Sequence, residues 1–188
     1  QHRLVRKVVE VLNDGGTVAI PTDSGYAIAC KLGNKEGMDK IRTIRKLDEK
    51  HNFSLLCESF SQLGDLVVVS NTAFRAIKAV TPGAYTFVLP ATKEVPRITW
   101  NKKKKTIGVR LPDHAKELGE PVLCSTLILP NEEDPLWNAD EVVDAIGSQV
   151  DVVVDGPVGE GGATTVISFE NGYPEVVRSG AGDTSLFE

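Results

Sequence analysis

A short apolar segment that runs directly into small polar residues constrains the fold more than any other feature of this sequence. Val18 to Ile20 are apolar and partly β-branched, which is typical of a buried strand. Pro21 has no N–H to donate, so we expect the strand to end there. Four short residues follow: Thr22, Asp23, Ser24 and Gly25. An α/β protein presents ligand-binding groups in this way at a strand end, although an ordinary turn has the same residues.

The rest of the chain alternates between helical and strand patterns. Helices are predicted over residues 3–13, 36–47, 60–65, 71–80 and 139–146. Strands are predicted over residues 53–57, 85–89, 106–110, 121–126, 150–154, 164–169 and 176–178. No linker, repeat or low-complexity tract separates them. Residues 1–188 are therefore predicted to form a single α/β domain, a twisted mixed β-sheet with flanking helices and a polar cavity.

Local patterns within these elements give further expectations. Residues 53–57 are predicted to form a central strand. In the helix over residues 71–80, the side chains expected to point inward are Ala73, Phe74, Ile77 and Val80. The glycine-rich residues 179–182 predict a mobile tail.

The helix over residues 36–47 carries several cations outside its apolar face. Met38, Ile41, Ile44 and Leu47 share that face. The basic residues elsewhere on the helix, Lys40, Arg42 and Arg45, are interpreted as a solvated surface. Lys46 is the exception, because it lies where the helix runs out toward a loop.

Composition limits the classes of function. Hydrophobic residues at 41% and charged residues at 25% are ordinary for a soluble globular protein. A net charge of -5 argues against an overall basic nucleic-acid binder, while the run Lys102 to Lys105 leaves a local patch open. No apolar run approaches the roughly 20 residues of a membrane helix, and no signal sequence is evident, so a cytoplasmic protein without membrane contact is predicted.

The three cysteines do not indicate a metal site or a disulfide framework. Cys30, Cys57 and Cys124 have neither close spacing nor histidine partners. Each lies in an apolar context, so we expect reduced core residues.

Several predicted strands end in Thr, Ser or Arg, which suggests that one polar cavity gathers those ends. The candidate residues are Thr22, Ser24, Lys46, Arg110, Ser125, Thr126, Thr164 and Arg178. Arg110 follows a buried strand and needs an acceptor, for which a carboxylate or a phosphate fits. Cations with hydroxyls indicate an anion site. The usual nucleophile, metalloprotease and Gly-rich phosphate motifs are absent from the sequence, so the residues alone do not separate catalysis from binding.

Five blocks in one order resemble the YrdC family, the threonylcarbamoyl-AMP synthases, and resemble its YciO branch most closely. They are residues 21–26, 51–57, 81–87, 92–97 and 105–110. The resemblance covers nearly the whole chain and implies the YrdC-like fold with its cavity.

The resemblance also implies a reaction. In the family, L-threonine and bicarbonate form an N-carboxy intermediate that attacks the α-phosphate of ATP, normally with Mg²⁺ on the phosphates. Pyrophosphate leaves, and threonylcarbamoyl-adenylate goes to tRNA threonylcarbamoyladenosine modification. By matching motif, the implied substrate-binding residues are Thr22, Ser24, Arg110, Thr126 and Thr164, with Arg110 on the carboxylate. The implied nucleotide-binding residues are Lys46, Asn52, Thr106, Ser125 and Arg178. The chemistry requires positioning and charge neutralisation, and no side chain is assigned a covalent or metal-ligating role.

Two signatures of the synthases are altered in this chain. Asp48 replaces the arginine of a Lys-x-Arg motif, and Ile128 replaces the asparagine of a Ser-x-Asn motif. A weakened synthase and a non-catalytic module that binds double-stranded RNA or a nucleotide are therefore both open. The family's basic concave surface has been associated with such RNA. Carbamoyl-adenylate chemistry on another amine is a third possibility.

Overall fold

Five α-helices and nine strands form in the part of the chain that the computed structural model describes, residues 2–47, 53–57, 59–96, 99, 103–111, 119–158 and 162–188, with backbone only for residues 2–5. The helices are α1 His2–Asn13, α2 Lys35–Arg45, α3 Phe60–Leu66, α4 Asn71–Val80 and α5 Ala139–Ile146. The strands are β1 Thr17–Thr22, β2 Gly25–Lys31, β3 Ser54–Leu56, β4 Tyr85–Pro90, β5 Thr106–Arg110, β6 Val122–Thr126, β7 Val152–Val153, β8 Thr165–Ser168 and β9 Glu175–Arg178. A 3₁₀ helix covers Ser185–Phe187.

All the strands belong to one mixed sheet in the order β7-β1-β2-β6-β3-β5-β4-β8-β9. The central strand is β3, which pairs parallel with β5 and antiparallel with β6. The structure thereby confirms the mixed α/β architecture, and it confirms that the segment predicted over residues 53–57 lies at the centre. No helix among the described residues has the length and hydropathy needed to cross a membrane.

The sheet is covered by helices only in part, and this leaves room for a site. On one face, buried residues of α2 to α5 form the larger apolar cluster with the sheet. On the other face, Val8 and Leu12 of α1 pack with Val18, Ala29 and Cys124. Because side chains alternate along a strand, Thr86 and Val88 point away from the larger cluster, which holds Tyr85, Phe87 and Leu89, as predicted.

Helix α2 ends two residues earlier than the periodicity predicts. Lys46 adopts a left-handed conformation with φ 54° and ψ 46°, and the N–H of Leu47 bonds to the carbonyl of Arg42. This cap stops the helix at Arg45. As a result, Lys46 is exposed, while Arg45 lies in the last turn of the helix.

The expectation that Pro21 ends the first strand is wrong. Pro21 lies inside β1 and pairs with Tyr26 of β2. The carbonyls of Thr17 and Ala19 accept hydrogen bonds from the N–H groups of Asp151 and Val154, on the side of β1 where β7 pairs. Because the backbone groups of every second residue point to the same side of a strand, the backbone nitrogen of Pro21 also faces that side. The strand β7 pairs only with Val18 and Ala19, so the N–H that proline lacks has no ladder partner to lose.

The prediction of a mobile tail after β9 is also contradicted. The N–H of Gly180 donates to Thr165 Oγ1 at 2.9 Å, and the N–H of Ala181 donates to the carbonyl of Ala163 at 2.9 Å. Further along, Phe187 is buried among aromatic rings and belongs to the larger cluster. Hydrogen bonds and apolar packing thus hold the segment. Glycine at position 180 allows the backbone to lie close to Ala163, since a Cβ there would lie 2.4 Å from the carbonyl oxygen of Ala163.

Two smaller expectations concern side chains. Phe74 was expected to point inward but is 40% exposed, because Ala73 and Ile77 face the core while the ring of Phe74 lies against Phe60. The three cysteines are free and buried, as predicted. Burial raises the pKa of Cys30 and Cys57 to about 12, so neither thiol is a nucleophile at neutral pH.

Candidate functional site

A cavity of about 780 Å³ lies over the part of the sheet that α1 does not cover. Its lining comes from the last turn of α2 and from strands β3 to β6, β8 and β9. Among the residues predicted for the site, the lining contains Thr106, Ser125, Thr126, Thr164 and Arg178. The predicted residues Thr126, Thr164 and Arg178 therefore do line one space, whereas Thr22, Ser24 and Arg110 lie outside its lining.

Three strands form the floor of the cavity. Ser54 of β3 pairs with Gly108 on one side and with Cys124 on the other. A Cβ on Gly108 would lie 2.9 Å from both Ser54 Oγ and Thr86 Cγ2, so a larger residue at position 108 would press against both side chains. Thr106, two residues before Gly108, is buried and shares its face.

Arg110 anchors the turn between β1 and β2 to the middle of the sheet. Its Nη2 donates to Thr22 Oγ1 at 3.1 Å, Asp23 Oδ1 at 3.2 Å and Ser24 Oγ at 2.6 Å. Arg110, Thr22 and Ser24 are buried. These three predicted residues therefore lie together, and the protein itself supplies oxygen acceptors for Nη2 of the guanidinium.

Cys124 connects this group to the cavity, whose lining includes it. Burial raises the pKa of the Cys124 thiol, while a hydrogen bond and the positive charge of Arg110 oppose the rise. The guanidinium of Arg110 thus lies beside a lining residue. Arg110 thus contacts both the polar turn that carries Thr22 and Ser24 and the lining residue Cys124.

A second arginine, Arg178 of β9, forms hydrogen bonds with Thr164 in the cavity lining. Arg178 Nη2 donates to the carbonyl of Thr164 at 2.8 Å and to its Oγ1 at 3.2 Å. Thr164 Oγ1 also lies 2.7 Å from Thr86 Oγ1. Arg178 is exposed as a residue, but partial burial and the charge of Arg110 lower its pKa. An anion bound near either guanidinium would relieve this repulsion between like charges.

The cation that the sequence interpretation missed is Arg45. Its Nη1 donates to Ser125 Oγ at 2.5 Å, and its Nε donates to the carbonyl of Ile128 at 3.2 Å. Burial lowers its pKa, and it lines the cavity. No local pattern distinguishes Arg45 from its solvated neighbours; only pairing across the fold brings β6 to the end of α2.

The remaining predicted residues are placed differently. Lys46 is exposed and is not in the cavity lining, so the structure does not bring it to the other residues. Asn52 lies outside the described residues, as does Asp48. Ile128, the apolar residue in the altered signature, is half-buried and lines the cavity.

The rim of the cavity carries both signs of charge. Lys104 Nζ lies 3.5 Å from Glu170 Oε2, and both residues line the cavity, as does Glu175. Within the described ranges, no group of three His, Cys, Asp or Glu side chains could hold a metal ion. Arginines and hydroxyl groups in the lining form a site that can bind an anion and orient it.

Comparisons with known proteins identify the family of the chain. A family model named for Sua5, YciO and YrdC, with the description "Telomere recombination", matches residues 10–180. YciO of Escherichia coli is 42% identical over 193 aligned positions, which cover 100% of this chain and 94% of YciO. Its crystal structure has a TM-score of 0.93 to this fold.

More distant proteins share the fold. The threonylcarbamoyl-AMP synthase of Vibrio vulnificus is 27% identical over 165 residues, covering 83% of this chain and 88% of the synthase. The crystal structure of P. abyssi Sua5 complexed with L-threonine has a TM-score of 0.85 at 22% identity, covering 96% of this chain and 55% of that one. With a family match over most of the chain and a close relative along its whole length, the chain belongs to the Sua5/YciO/YrdC family.

Proposed function

We propose that the protein forms a carbamoyl-adenylate from ATP, bicarbonate and an amino acid, with L-threonine as the amino acid. The observation that carries the proposal is a pair of arginine groups near one cavity: Arg178 with Thr164 in its lining, and Arg110 with Thr22 and Ser24 next to the lining residue Cys124. Support comes from the relative named threonylcarbamoyl-AMP synthase and from a protein of the same fold complexed with L-threonine.

The proposed step needs binding and charge neutralisation from the chain. The amino group and bicarbonate first form a carbamate with loss of water. An oxygen of this carbamate then attacks the α-phosphorus of ATP, the bond from that phosphorus to the oxygen bridging it to the β-phosphate breaks, and pyrophosphate leaves. Arg110 would hold the amino-acid carboxylate, and Ser24 and Thr164 would orient it. Arg178 and Thr106 would bind the nucleotide. Fixed donors that meet developing charge in a shielded cavity accelerate such transfers without covalent participation.

Mg²⁺ would enter as part of the nucleotide substrate. Magnesium in such sites is usually held by phosphates, water and one or two carboxylates. Glu170 and Glu175 in the lining are carboxylates of the kind that could supply the protein ligands of such a metal.

The first experiment measures pyrophosphate release by the purified chain with ATP, Mg²⁺, bicarbonate and L-threonine. We expect release that depends on both threonine and bicarbonate, at a rate below that of ordinary synthases because Ile128 places an apolar side chain in the lining. One lost polar contact of this kind costs about 1–3 kcal/mol, or about five- to 150-fold in rate or affinity.

The control omits threonine, and parallel reactions replace it with L-valine, L-serine or glycine. Valine has the shape of threonine without the hydroxyl group, so release with threonine alone identifies hydroxyl recognition. Pyrophosphate release with one of the other amino acids would support the proposed reaction with that amino acid as its substrate. Release that no amine stimulates contradicts the proposed activity.

RNA binding is a second candidate, favoured by one specific observation. Lys103, Lys104 and Lys105 are exposed in the turn before β5, and Lys104 lies at the cavity rim. We expect double-stranded RNA to bind with an affinity that falls as salt rises, since phosphate contacts release counterions. A filter-binding titration with wild type and with the three lysines changed to alanine checks this. Equal affinity of the two proteins for RNA would exclude the lysine turn as the contact.

A further inference from the structure

The hydroxyl groups that line the cavity differ in whether the protein already binds them. Thr86 Oγ1 and Thr164 Oγ1 lie 2.7 Å apart and share a hydrogen bond. Ser54 is half-buried and also lines the cavity, but its hydroxyl group makes no hydrogen bond to any residue that the structure describes. The lining residues Thr106 and Thr126 already have implied ligands, the nucleotide and the amino acid. The hydroxyl group of Ser54 has none, and it is available to a ligand.

The register of the sheet places Ser54 at the middle of the cavity floor. Ser54 pairs with Cys124 of β6 on one side and with Gly108 of β5 on the other. Side chains of paired residues point to the same face of a sheet, so the hydroxyl group lies beside a position that carries no side chain. A Cβ on Gly108 would lie 2.9 Å from Ser54 Oγ. Glycine at position 108 thus leaves the hydroxyl group open to the cavity.

Ser54 also lies between the two arginine groups of the proposed site. On the side of β6, its pairing partner Cys124 is hydrogen-bonded to Arg110. On the side of β5 and β4, Thr86 continues the floor, and its hydrogen bond to a threonine held by Arg178 places it in the second group. If Arg110 holds the amino acid and Arg178 holds the nucleotide, the two substrates meet above Ser54.

We propose that the Ser54 hydroxyl group binds the carboxyl group that bicarbonate adds to the amino nitrogen, and that it turns this group toward the α-phosphorus of the nucleotide. This choice of ligand rests on the proposed function. The carbamate has two oxygens: one attacks phosphorus, and the other accepts the hydrogen bond from Ser54. No bond to Ser54 forms or breaks. A neutral donor fixes the direction of attack while it withdraws less charge from the attacking oxygen than a cation would.

The opposing interpretation is a hydroxyl group that contacts only solvent in the cavity. Ser54→Ala distinguishes the two, because it removes one oxygen atom and no hydrogen bond within the described part of the protein. We therefore expect the variant to fold with the urea midpoint of wild type. Its effect on a ligand then reports the contact made by the hydroxyl group.

The kinetics of pyrophosphate release provide the first test. We expect Ser54→Ala to lower kcat/KM for bicarbonate about tenfold or more, the effect of losing a hydrogen bond to a charged group, while KM for ATP changes less than about twofold. Ser54→Thr keeps the hydroxyl group on a β-branched side chain that suits a strand, and it should stay within about threefold of wild type. The matched control is Ser61→Ala, which removes an exposed hydroxyl group on α3 outside the lining and should leave both constants unchanged.

Two kinetic outcomes contradict the inference. Equal kcat/KM for bicarbonate in wild type and Ser54→Ala would mean that the hydroxyl group contacts only solvent. An equal loss for bicarbonate and for ATP would mean that the substitution changes the shape of the whole cavity.

A second measurement requires no turnover. N-acetyl-L-threonine carries a carbonyl oxygen on the amino nitrogen, where the carbamate has its carboxyl group. In calorimetric titrations we expect Ser54→Ala to weaken binding of N-acetyl-L-threonine about three- to tenfold, and to change the affinity for L-threonine less than about twofold. Titrating both ligands into both proteins separates the hydroxyl contact from the charge lost on acetylation. Equal affinity of the two proteins for N-acetyl-L-threonine, or no binding of it to wild type, overturns the inference.

Failure of this inference and failure of the proposed function give different results. Binding of N-acetyl-L-threonine that depends on Ser54, without threonine-dependent pyrophosphate release, retains the contact and rejects the proposed reaction. Threonine-dependent release with the same kcat/KM for bicarbonate in wild type and Ser54→Ala retains the reaction and rejects Ser54 as the residue that binds the carbamate.

Discussion

Replacing Arg110 with alanine is expected to abolish threonine-dependent pyrophosphate release and also to destabilise the fold. The substitution removes the donor shared by Thr22, Asp23 and Ser24 and leaves Asp23 without its cation. Breaking a buried ion pair costs about 3–5 kcal/mol, and we expect about 2–3 kcal/mol here because the side chain of Asp23 is 30% exposed. The activity should fall about a hundredfold or more, as for loss of one preorganised donor. Urea unfolding and the pyrophosphate assay measure the two effects.

Two further variants separate the structural effect of Arg110 from the effect on substrate. Arg110→Lys keeps the charge beside Asp23 but cannot reproduce the planar fork, so it should restore most of the stability and little of the activity. Arg75→Ala removes an exposed arginine from α4 and should leave both quantities unchanged. Full activity in a destabilised Arg110→Ala protein would mean that Arg110 only supports the turn.

Replacing Phe187 with alanine is expected to cause the largest loss of stability, about 3 kcal/mol, within the range for a buried phenylalanine. The ring of Phe187 lies 5.9 Å from that of Tyr85, 6.4 Å from that of Phe87 and 6.5 Å from that of Phe169, measured between centroids. Its removal would leave a cavity bordered by three aromatic rings. Urea unfolding followed by tryptophan fluorescence measures the change.

The neighbouring residue supplies the matched control for Phe187. Leu186 lies in the same 3₁₀ helix but is 64% exposed, so Leu186→Ala should change the free energy of unfolding by less than about 0.5 kcal/mol. If Phe187→Ala is as stable as Leu186→Ala, then the aromatic cluster does not hold the segment after β9.

Periodicity predicted most of the helices and strands because burial of one face imposes it. The helix Ala139–Ile146 has the predicted bounds, and the alternation in β4 correctly separates Tyr85 and Phe87 from Thr86. The turn residues Thr22 and Ser24 and the strand-end Arg110 are each predicted as site candidates because they are polar residues that follow apolar runs. In each case the signal lies within a few neighbouring residues.

The missed features depend on contacts between distant segments. Arg45 and Lys46 are adjacent cations with the same local pattern, and only the cap of α2 and its contact with β6 decide which one enters the cavity. Pro21 is compatible with its strand because the neighbouring β7 is short. The tail was predicted to be mobile from its glycines, whereas Gly180 in fact allows a close approach to Ala163.

The pairing of Ser54 with Gly108 and Cys124 has a consequence for how the protein folds. The cavity floor lies where three segments meet that are far apart in sequence. Bringing such segments together costs loop entropy before any contact is gained, and non-local pairing of this kind slows folding. No partly folded chain that lacks β6 can carry the site. Ligands of this cavity therefore act on the completed native state alone, and they stabilise it by mass action without guiding its assembly.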